Sequence, residues 1–392
     1  MKNNKNLMII ALIAIVNALG YGIIIPIIYS YSRKYGLTDF QNGLLFSLYS
    51  ICQFIATPII GRLSDKYGRK PLLVISLAGT AVSFFMAAFA PNAIVLFIAR
   101  ALDGLTAGNL PVASAVISDS TSIKDRAKGF GIIGASFGFG FIIGPAISAF
   151  TIHLGSAVPF IIAGIISTIS VLLTLFFLPE TNQHIGEVKS GKLFDIPKLF
   201  KAVTYDGVGV ILLISLFYSF VWGMYTFAFQ PYSIEKLHLN ASNIALIFTL
   251  IGVVGLITQV FFVGKLNKTF GEKKIINASF VLVFLSFIAV IFSKNILYFV
   301  LISILIALGN SFINPLLQTI LSKETDEKSQ GSIFGLNTSY ISIGTTFGPI
   351  VGGILVTSTL HLPFLVCGLF SFICFVISLR IKSRLAHKES AF

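Results

Sequence analysis

The chain alternates between long apolar segments and short polar ones along almost its whole length. An apolar segment of about twenty residues is long enough to cross a bilayer as an α-helix. Twelve such spans are predicted, at about 7–31, 40–60, 71–90, 93–117, 129–152, 157–178, 207–232, 241–263, 275–292, 296–321, 332–357 and 361–379. The pattern therefore predicts an all-α membrane protein with twelve transmembrane helices.

Composition supports a membrane protein and argues against a nucleic-acid-binding protein. Apolar residues make up 55% of the chain and charged residues 11%, whereas a soluble domain carries about 25% charged residues. The formal net charge of +13 would suit a nucleic-acid binder, but the charges lie in short loops between apolar segments, so we expect a lipid bilayer and no nucleic acid as partner. Cys52, Cys367 and Cys374 lie in apolar stretches, which favours buried thiols over a disulfide or a metal site. We expect no cofactor and no metal ion.

The longest polar stretch, residues 179–206, separates two groups of six predicted spans. We predict an N-terminal six-helix bundle over 1–178, a cytoplasmic linker over 179–206, and a C-terminal six-helix bundle with a short cytoplasmic tail over 207–392. Within the linker, residues 194–203 alternate apolar and basic positions. This segment is either a short interfacial helix or a plain solvated linker.

Basic residues are distributed unequally between the two sides of the membrane. With twelve spans, both termini and the even-numbered connections lie on one side, and that side holds most of the lysines and arginines. The other side has only Arg33, Lys34, Lys236 and Lys294. Because basic loops stay in the cytoplasm, we predict a multi-pass protein of the plasma membrane with both termini cytoplasmic.

The densest group of charges lies at 61–71, between spans two and three, where five charges occur in eleven residues. Charges at this density do not enter hydrocarbon, so the segment is predicted to be a tight hairpin at the membrane surface. Gly61 and Gly68 permit close backbone approach or a positive φ. Pro71 suits the first turn of the next helix.

The two halves of the chain look like repeats. The glycines, the leucine and the last lysine of 61–70 reappear at 264–273, but the Asp and the Arg do not. A glycine-proline pattern in span five reappears in span eleven, and the matched residues are Gly140, Gly144 and Pro145 with Gly344, Gly348 and Pro349. Parallel six-span halves imply a pseudo-two-fold axis along the membrane normal and a central cavity.

These motifs resemble those of the major facilitator superfamily. The segment 61–71 looks like its loop signature, and Arg100-x3-Gly104-x3-Gly108 resembles its basic span-four motif. Gly131-x8-Gly140-x3-Gly144-Pro145 resembles the span-five motif of its drug:proton antiporters, and Gly20-x-Gly22-x3-Pro26 is similar to the start of tetracycline and multidrug exporters. The resemblance covers the whole chain and implies a transporter built from two pseudo-symmetric six-helix bundles.

The resemblance also implies a charge cluster at the 61–71 loop. In the family, the matching Asp and Arg cluster with an acid at the inner end of span four, which here gives Asp65, Arg69 and Asp119. The Asp also faces the start of span eleven, where the helix dipole favours a carboxylate. Such a cluster would latch the halves together in one state, and it is predicted for the first half alone. The alternative is that these charges only set the topology, which requires neither Asp65 nor the two glycines.

Arg100 and Asp103 lie three residues apart on one face of span four. Ionisable residues inside a membrane are costly and are functional by default. Spans seven, eight and ten hold no acid, and Asn17 stands where tetracycline exporters carry an Asp. Asp103 is therefore the candidate proton carrier. Arg100 is expected to tune the pKa of this carboxylate or to contact an anionic group of a substrate. The alternative is a neutralised structural pair near the outer end of the span.

Polar side chains within the spans are the candidates for a substrate cavity, because they need a partner or water. They are Asn17, Tyr21, Gln53, Tyr225, Gln230, Asn310, Asn314 and Gln318. For the span-five glycines Gly140 and Gly144, with a kink at Pro145, we predict close contact with the matching span eleven.

Together these features predict a monomeric secondary transporter, not an enzyme, that exports lipophilic or amphiphilic small molecules in exchange for protons. The first alternative is uptake or facilitated transport of a small metabolite by the same fold, which the scarcity of acids in the spans favours. The second alternative is a membrane sensor or assembly protein that does not transport. The intact Asp65 and Arg69 of the loop argue against it.

Overall fold

The computed structural model describes residues 2–107, 109–120, 126–182, 185–186, 196–205, 207–325 and 330–381, and nearly all of them are helical. The helices are α1 (Lys2–Ile24), α2 (Ile28–Arg33), α3 (Asp39–Tyr67), α4 (Arg69–Ala88), α5 (Ala93–Thr106), α6 (Asn109–Ser120), α7 (Arg126–Thr151), α8 (Val158–Phe177), α9 (Ile196–Ala202), α10 (Val208–Pro231), α11 (Ala241–Ile257), α12 (Gly264–Phe270), α13 (Glu272–Ile291), α14 (Ile296–Lys323), α15 (Gln330–Ser358) and α16 (Leu362–Ser378). A π-helical turn, Thr258–Val263, joins α11 to α12.

Each of the twelve predicted spans corresponds to a helix or to a pair of consecutive helices. Span one consists of α1 and α2, span four of α5 and α6, and span eight of α11 and the π-helical turn that leads into α12. Within the described chain, nine stretches are long and apolar enough to cross a membrane, and three shorter apolar helices, Met8–Ile24, Gly138–Leu154 and Leu362–Ser378, account for the remaining spans. The all-α, twelve-span prediction is confirmed.

The chain forms two compact units. The first contains Met1–Phe194 and Ser233–Gly252, and the second contains Asp195–Tyr232 and Val253–Phe392. In the first unit α1 packs on α7 and α8, and α4 packs on α8 and α5. The second unit repeats this arrangement, since α10 packs on α15 and α16, and α13 packs on α16 and α14. The internal repeat seen in the sequence is thus a repeat of helix packing.

Glycines allow the closest of these helix contacts. A Cβ atom at Gly144 would lie 2.8 Å from the Cα of Gly22 in α1, and one at Gly223 in α10 would lie 3.1 Å from the Cδ of Pro349 in α15. Small residues let helix backbones approach each other in this way in membranes. The prediction that Gly140 and Gly144 meet span eleven is wrong, because the side of α7 that carries them is packed against α1.

We expect Gly144→Ala to destabilise the protein, although alanine is the better helix former. The added methyl group would meet backbone atoms of α1, and overpacking of this kind costs about 1–3 kcal/mol. Gly335→Ala in α15 is the matched control, since a Cβ there has no neighbour within 4 Å. Thermal unfolding of the purified variants should show a lower Tm for Gly144→Ala only. An equal Tm for both variants would contradict the close packing of α1 and α7.

The charged segment 61–71 is mostly helical, which corrects the expected eleven-residue hairpin. Helix α3 continues through Tyr67, and α4 begins at Arg69. Gly68 alone makes the turn, with φ of +104°, a value that favours glycine. Pro71 lies in the first turn of α4, as predicted from its missing N–H.

The linker segment 194–203, for which two interpretations were open, contains the short helix α9. The backbone oxygen of Leu199 in α9 accepts a hydrogen bond of 2.7 Å from the hydroxyl of Tyr340 in α15. Because this bond ties α9 to α15 within the second unit, the segment is not a plain solvated linker.

Candidate functional site

The turn between α3 and α4 holds a compact ionic cluster in the first unit. Nη1 of Arg69 lies 2.5 Å from Oδ1 of Asp65, and Nε lies 3.2 Å from Oδ2 of Asp119 near the end of α6. Nη1 also donates to Oγ of Ser64 at 2.7 Å. The structure thus brings together the three charged residues that the family resemblance implied.

Burial makes this cluster more than a set of surface charges. Only 13% of the Arg69 side chain is exposed, against 39% for Asp65 and 28% for Asp119. A guanidinium presents several N–H groups in fixed directions, so it can hold two carboxylates from different helices at once. Arg69 therefore ties the ends of α3 and α6 to the start of α4. Gly61 has open space around it, and the structure gives no steric reason for glycine there.

Glu180, just after α8, is a member of this site that sequence reasoning missed. Its carboxylate accepts hydrogen bonds from the backbone N–H groups of Arg69 at 2.9 Å and of Lys70 at 3.1 Å. These are free N–H groups in the first turn of α4, where a negative charge is favourable. A Cβ at Gly68 would collide with the Glu180 carboxylate, which gives this glycine a second reason beyond its φ.

Glu180 also organises its own loop. Its Oε1 atom accepts from the backbone N–H groups of Thr181 at 2.9 Å and of Asn182 at 2.8 Å. The side chain of Asn182 in turn donates to the backbone oxygen of Asp65 at 3.1 Å. The segment that follows α8 is therefore held against the turn that carries Arg69. The sequence offered little signal for this contact, because more than one hundred residues separate its two sides.

We expect Glu180→Gln to loosen the start of α4. The amide keeps one oxygen where the carboxylate offers two, and the loss of a helix cap costs about 0.5–2 kcal/mol. Hydrogen–deuterium exchange of the amides of Arg69 and Lys70 should therefore accelerate about tenfold, within the range this cost allows. The amides of Glu272 and Lys273, at the start of α13, serve as the internal control. Unchanged exchange at Arg69 and Lys70 would contradict the capping role.

A second ionic site lies inside span four, on α5. Nη1 of Arg100 donates to Oδ2 of Asp103 at 2.7 Å, and both residues are only 6% exposed. Nε of Arg100 is buried and has no hydrogen-bond partner among the described residues. The guanidinium carbon lies 4.7 Å from the centre of the Tyr49 ring in α3, a favourable cation–π distance. The pair is therefore desolvated and leaves one N–H donor without an acceptor among the side chains that the structure describes.

Aromatic and amide groups surround this pair. The Tyr21 ring of α1 lies 5.9 Å from the Tyr49 ring and 5.7 Å from the Phe141 ring of α7. Nε2 of Gln53 donates to the Tyr49 hydroxyl at 3.3 Å. Phe141 is 39% exposed, and Tyr21, Tyr49 and Gln53 are half-buried, so this group reaches the surface of the protein. The structure thus places Tyr21 and Gln53 against Tyr49, whose ring lies beside Arg100.

The remaining cavity candidates divide into two groups. On α14, Nδ2 of Asn314 donates to Oδ1 of Asn310 at 3.2 Å, and Asn310 accepts from the Tyr218 hydroxyl at 2.8 Å. Gln318 is half-buried one turn beyond Asn314. These three amides follow one another at four-residue spacing on one face of α14. The side chain of Asn17 lies outside the described part of the structure.

Tyr225 and Gln230 of α10 are both buried. Tyr225 is 1% exposed and packs among aromatic rings, with centroids 5.8 Å away for Phe229 and 5.4 Å away for Phe287. Gln230 is fully buried. Neither side chain is exposed, so the structure gives no support to their role in a cavity.

A further ionic group was not predicted. Arg33 at the end of α2 lies 3.4 Å from Asp39 and 3.3 Å from Glu235, and the Tyr29 hydroxyl donates to Asp39. Nearly half of the Arg33 side chain is exposed, so these pairs are weak in solvent.

Comparison with known proteins gives the family. The sequence model of the Major Facilitator Superfamily matches residues 10–211 and 211–392. The chain belongs to this superfamily. Multidrug resistance protein 1 of Bacillus subtilis (strain 168) is 32% identical to this chain over 375 residues, which cover 93% of this chain and 92% of that protein. The tetracycline resistance protein, class H, from Pasteurella multocida is 30% identical over 89% of this chain and 88% of that protein.

Solved structures agree with this assignment at the level of the fold. A bacterial homologue of the human lysosomal transporter Spinster superimposes with a TM-score of 0.81 at 14% sequence identity, over 95% of each chain. This superfamily member is therefore a multi-pass membrane transporter of small molecules and not an enzyme, and its two six-helix halves have the superfamily fold.

Proposed function

We propose that this transporter exports lipophilic or amphiphilic small molecules in exchange for protons, by alternating access of one binding region to the two sides of the membrane. The relatives named for multidrug and tetracycline resistance support this class of substrate. The observation that carries the proposal is the buried pair of Arg100 and Asp103 beside a group of aromatic rings that reaches the surface of the protein.

The pair can couple two ligands through one guanidinium. When Asp103 is ionised, it holds Arg100 in a charge-assisted hydrogen bond. A proton bound to Asp103 removes the charge that holds Arg100, and the guanidinium, which already lies over the Tyr49 ring, can then donate to an acceptor on a substrate. Proton and substrate binding thereby influence each other, as exchange requires. In this scheme the Arg69 cluster is a latch that is made in one state and broken in the other.

The rings of Tyr21, Tyr49 and Phe141 suit apolar and aromatic substrates. Aromatic walls with a few polar groups are typical of small-molecule sites, and Gln53 supplies an amide here. The amides Asn310 and Asn314 of α14 are proposed as polar contacts of the second unit. The proposal also includes a plasma-membrane location, cytoplasmic termini on the more basic side, and a monomeric state.

A susceptibility panel in a host that lacks its own efflux pumps tests the proposal. Cells that produce the protein should tolerate higher concentrations of at least one amphiphilic compound, such as tetracycline or ethidium, than cells with an empty vector. Cells that produce Asp103→Asn at an equal level should lose this tolerance. Unchanged susceptibility across the panel would favour the alternative, uptake of a metabolite, which the absence of acids from spans seven, eight and ten supports.

A further inference from the structure

The turn between α12 and α13 in the second unit carries an ion pair of its own. Nζ of Lys323, the last residue of α14, lies 2.6 Å from Oε1 of Glu272, the first residue of α13. Nδ2 of Asn267 also donates to this Oε1 atom at 3.3 Å. Gly271, with φ of +78°, makes the turn. This finding corrects the expectation that an ionic cluster exists in the first half alone.

The positions of these residues match those of the Arg69 cluster one by one. Glu272 stands 203 residues after Arg69, and each is the first residue of the helix that follows the turn glycine. Lys323 stands 204 residues after Asp119, and each lies at the end of the equivalent helix. These offsets are the ones that relate the two halves.

The three side chains that pair with one another in the Arg69 cluster, Asp65, Arg69 and Asp119, are each replaced by a residue of opposite charge in the second unit. Arg69 corresponds to Glu272, and Asp119 corresponds to Lys323. Asp65, four residues before Arg69, corresponds to Lys268, four residues before Glu272. The neutral neighbour is matched too, since Ser64 and Asn267 each hydrogen-bond the first residue of the following helix.

The inversion shows which property the two halves share. Lys323 is 54% exposed and Glu272 is 21% exposed, so their attraction is screened and adds little to stability. If each charge had served only to set topology, basic residues would be expected at the same positions in both halves, because the two turns are equivalent in the repeat. Instead all three signs change together, and an ion pair joins the equivalent helices in each unit, α4 with α6 and α13 with α14. What is common is the connection of the turn to the neighbouring helix end.

We propose that Glu272 and Lys323 form a second clasp, the charge-inverted counterpart of the Arg69 cluster, which positions the α12–α13 turn against α14 during transport. The inference goes beyond the proposed substrate and coupling, and it rests on the proposed alternating-access cycle only for its effect on turnover. Glu272 and Lys323 are positioning residues in this account. Neither is assigned a contact with the substrate.

The test exchanges the charges. Glu272→Lys and Lys323→Glu are made singly and together in the full-length protein, with Glu272→Gln as a milder variant in case a reversal prevents folding. Lys265→Glu, on α12 but outside the clasp, is the control for the same change of charge. Spin labels are attached at Tyr67→Cys and Phe270→Cys, two exposed positions just before the turn glycines. The distance between the two labels can be measured without any substrate. The three native cysteines are replaced in this background.

The clasp predicts that each single reversal shifts the population of label distances and lowers ethidium turnover per folded protein about fivefold, the upper range for an exposed pair. The double exchange should restore both readings, and Lys265→Glu should change neither. Distances and turnover that stay unchanged in the single reversals would overturn the proposal, as would a double exchange that fails to restore them. A purely structural pair would lower Tm alone, which also overturns it. The distance reading remains decisive even if ethidium is not transported.

Discussion

Asp103→Asn should abolish proton-driven transport while leaving the protein folded. Asparagine has nearly the same shape, so the helix and its neighbours need not move, but it carries no charge to hold Arg100 and takes up no proton. In everted vesicles, ethidium accumulation driven by an imposed pH gradient should fall to the level of vesicles without the protein. Asp103 is the carboxylate that lies against Arg100 in the buried site, so the loss should be specific to this position.

The control for this prediction is ligand binding at equilibrium. The purified Asp103→Asn protein should still bind ethidium, and binding should no longer depend on pH over the range where the wild type changes. Asp119→Asn changes a carboxylate outside the buried site, so binding of ethidium by this variant should depend on pH as in the wild type. Full proton-driven accumulation by Asp103→Asn would show that the buried pair is structural and would remove Asp103 from the mechanism.

Arg69→Glu should reduce transport strongly, because it replaces the centre of the cluster by a charge that repels both partners. The new carboxylate would face Asp65 and Asp119, and about 1.4 kcal/mol of unfavourable energy in the latched state corresponds to a tenfold loss of turnover. We expect turnover to fall by about this factor or more, with the apparent KM for ethidium nearly unchanged, since the cluster does not touch the substrate region.

Rescue distinguishes a latch from a fold defect. Inverting all three charges, in Asp65→Lys, Arg69→Glu and Asp119→Lys together, gives the first unit the polarity that the second unit already has, and it should restore much of the turnover. Lys66→Glu, an equal charge change on an exposed residue in the last turn of α3, should have little effect. Failure of the triple variant at a normal Tm would contradict the view that pairing, and not the sign of each charge, is what the turn requires.

The helices could be predicted because hydropathy reports them directly. A run of apolar residues bounded by charges has one stable form in a bilayer, so the positions of the twelve spans follow from the sequence. The ends of the helices were harder to predict from the sequence. Helix α3 runs on through the charged residues to Tyr67 because those side chains reach water without breaking the backbone hydrogen bonds, and only Gly68 marks the true turn.

Contacts between distant segments explain most of what the sequence did not reveal. Glu180 appeared as one more charge of a linker, since nothing local indicates that its carboxylate caps α4. The partner of the α7 glycines was misassigned because a small-residue pattern identifies a close contact but not the helix on its other side. The Glu272 and Lys323 pair was missed because a search for the same residues in the second half does not recognise the same pairing with opposite signs.

The facing of polar residues within helices was predictable only in part. Tyr21 and Gln53 lie against Tyr49, whose ring is beside Arg100, whereas Tyr225, chosen by the same argument, is enclosed by phenylalanines. A tyrosine ring can pack against other aromatic rings inside a helix bundle, so the presence of tyrosine in a span does not indicate a cavity. The amides of α14 are a better guide, because Asn310 and Asn314 follow helical spacing along one face.

Transport by the purified protein in liposomes tests the central claim most directly. The liposomes contain ethidium-binding DNA in an acidic lumen, and a neutral outer buffer supplies ethidium. Proton exchange predicts that the pH gradient drives ethidium into the lumen above the level in protein-free liposomes, and that nigericin, which collapses the gradient, returns uptake to the slower rate without a gradient. Ethidium entry that proceeds at the same rate with and without the pH gradient would contradict proton-coupled export and would favour facilitated transport.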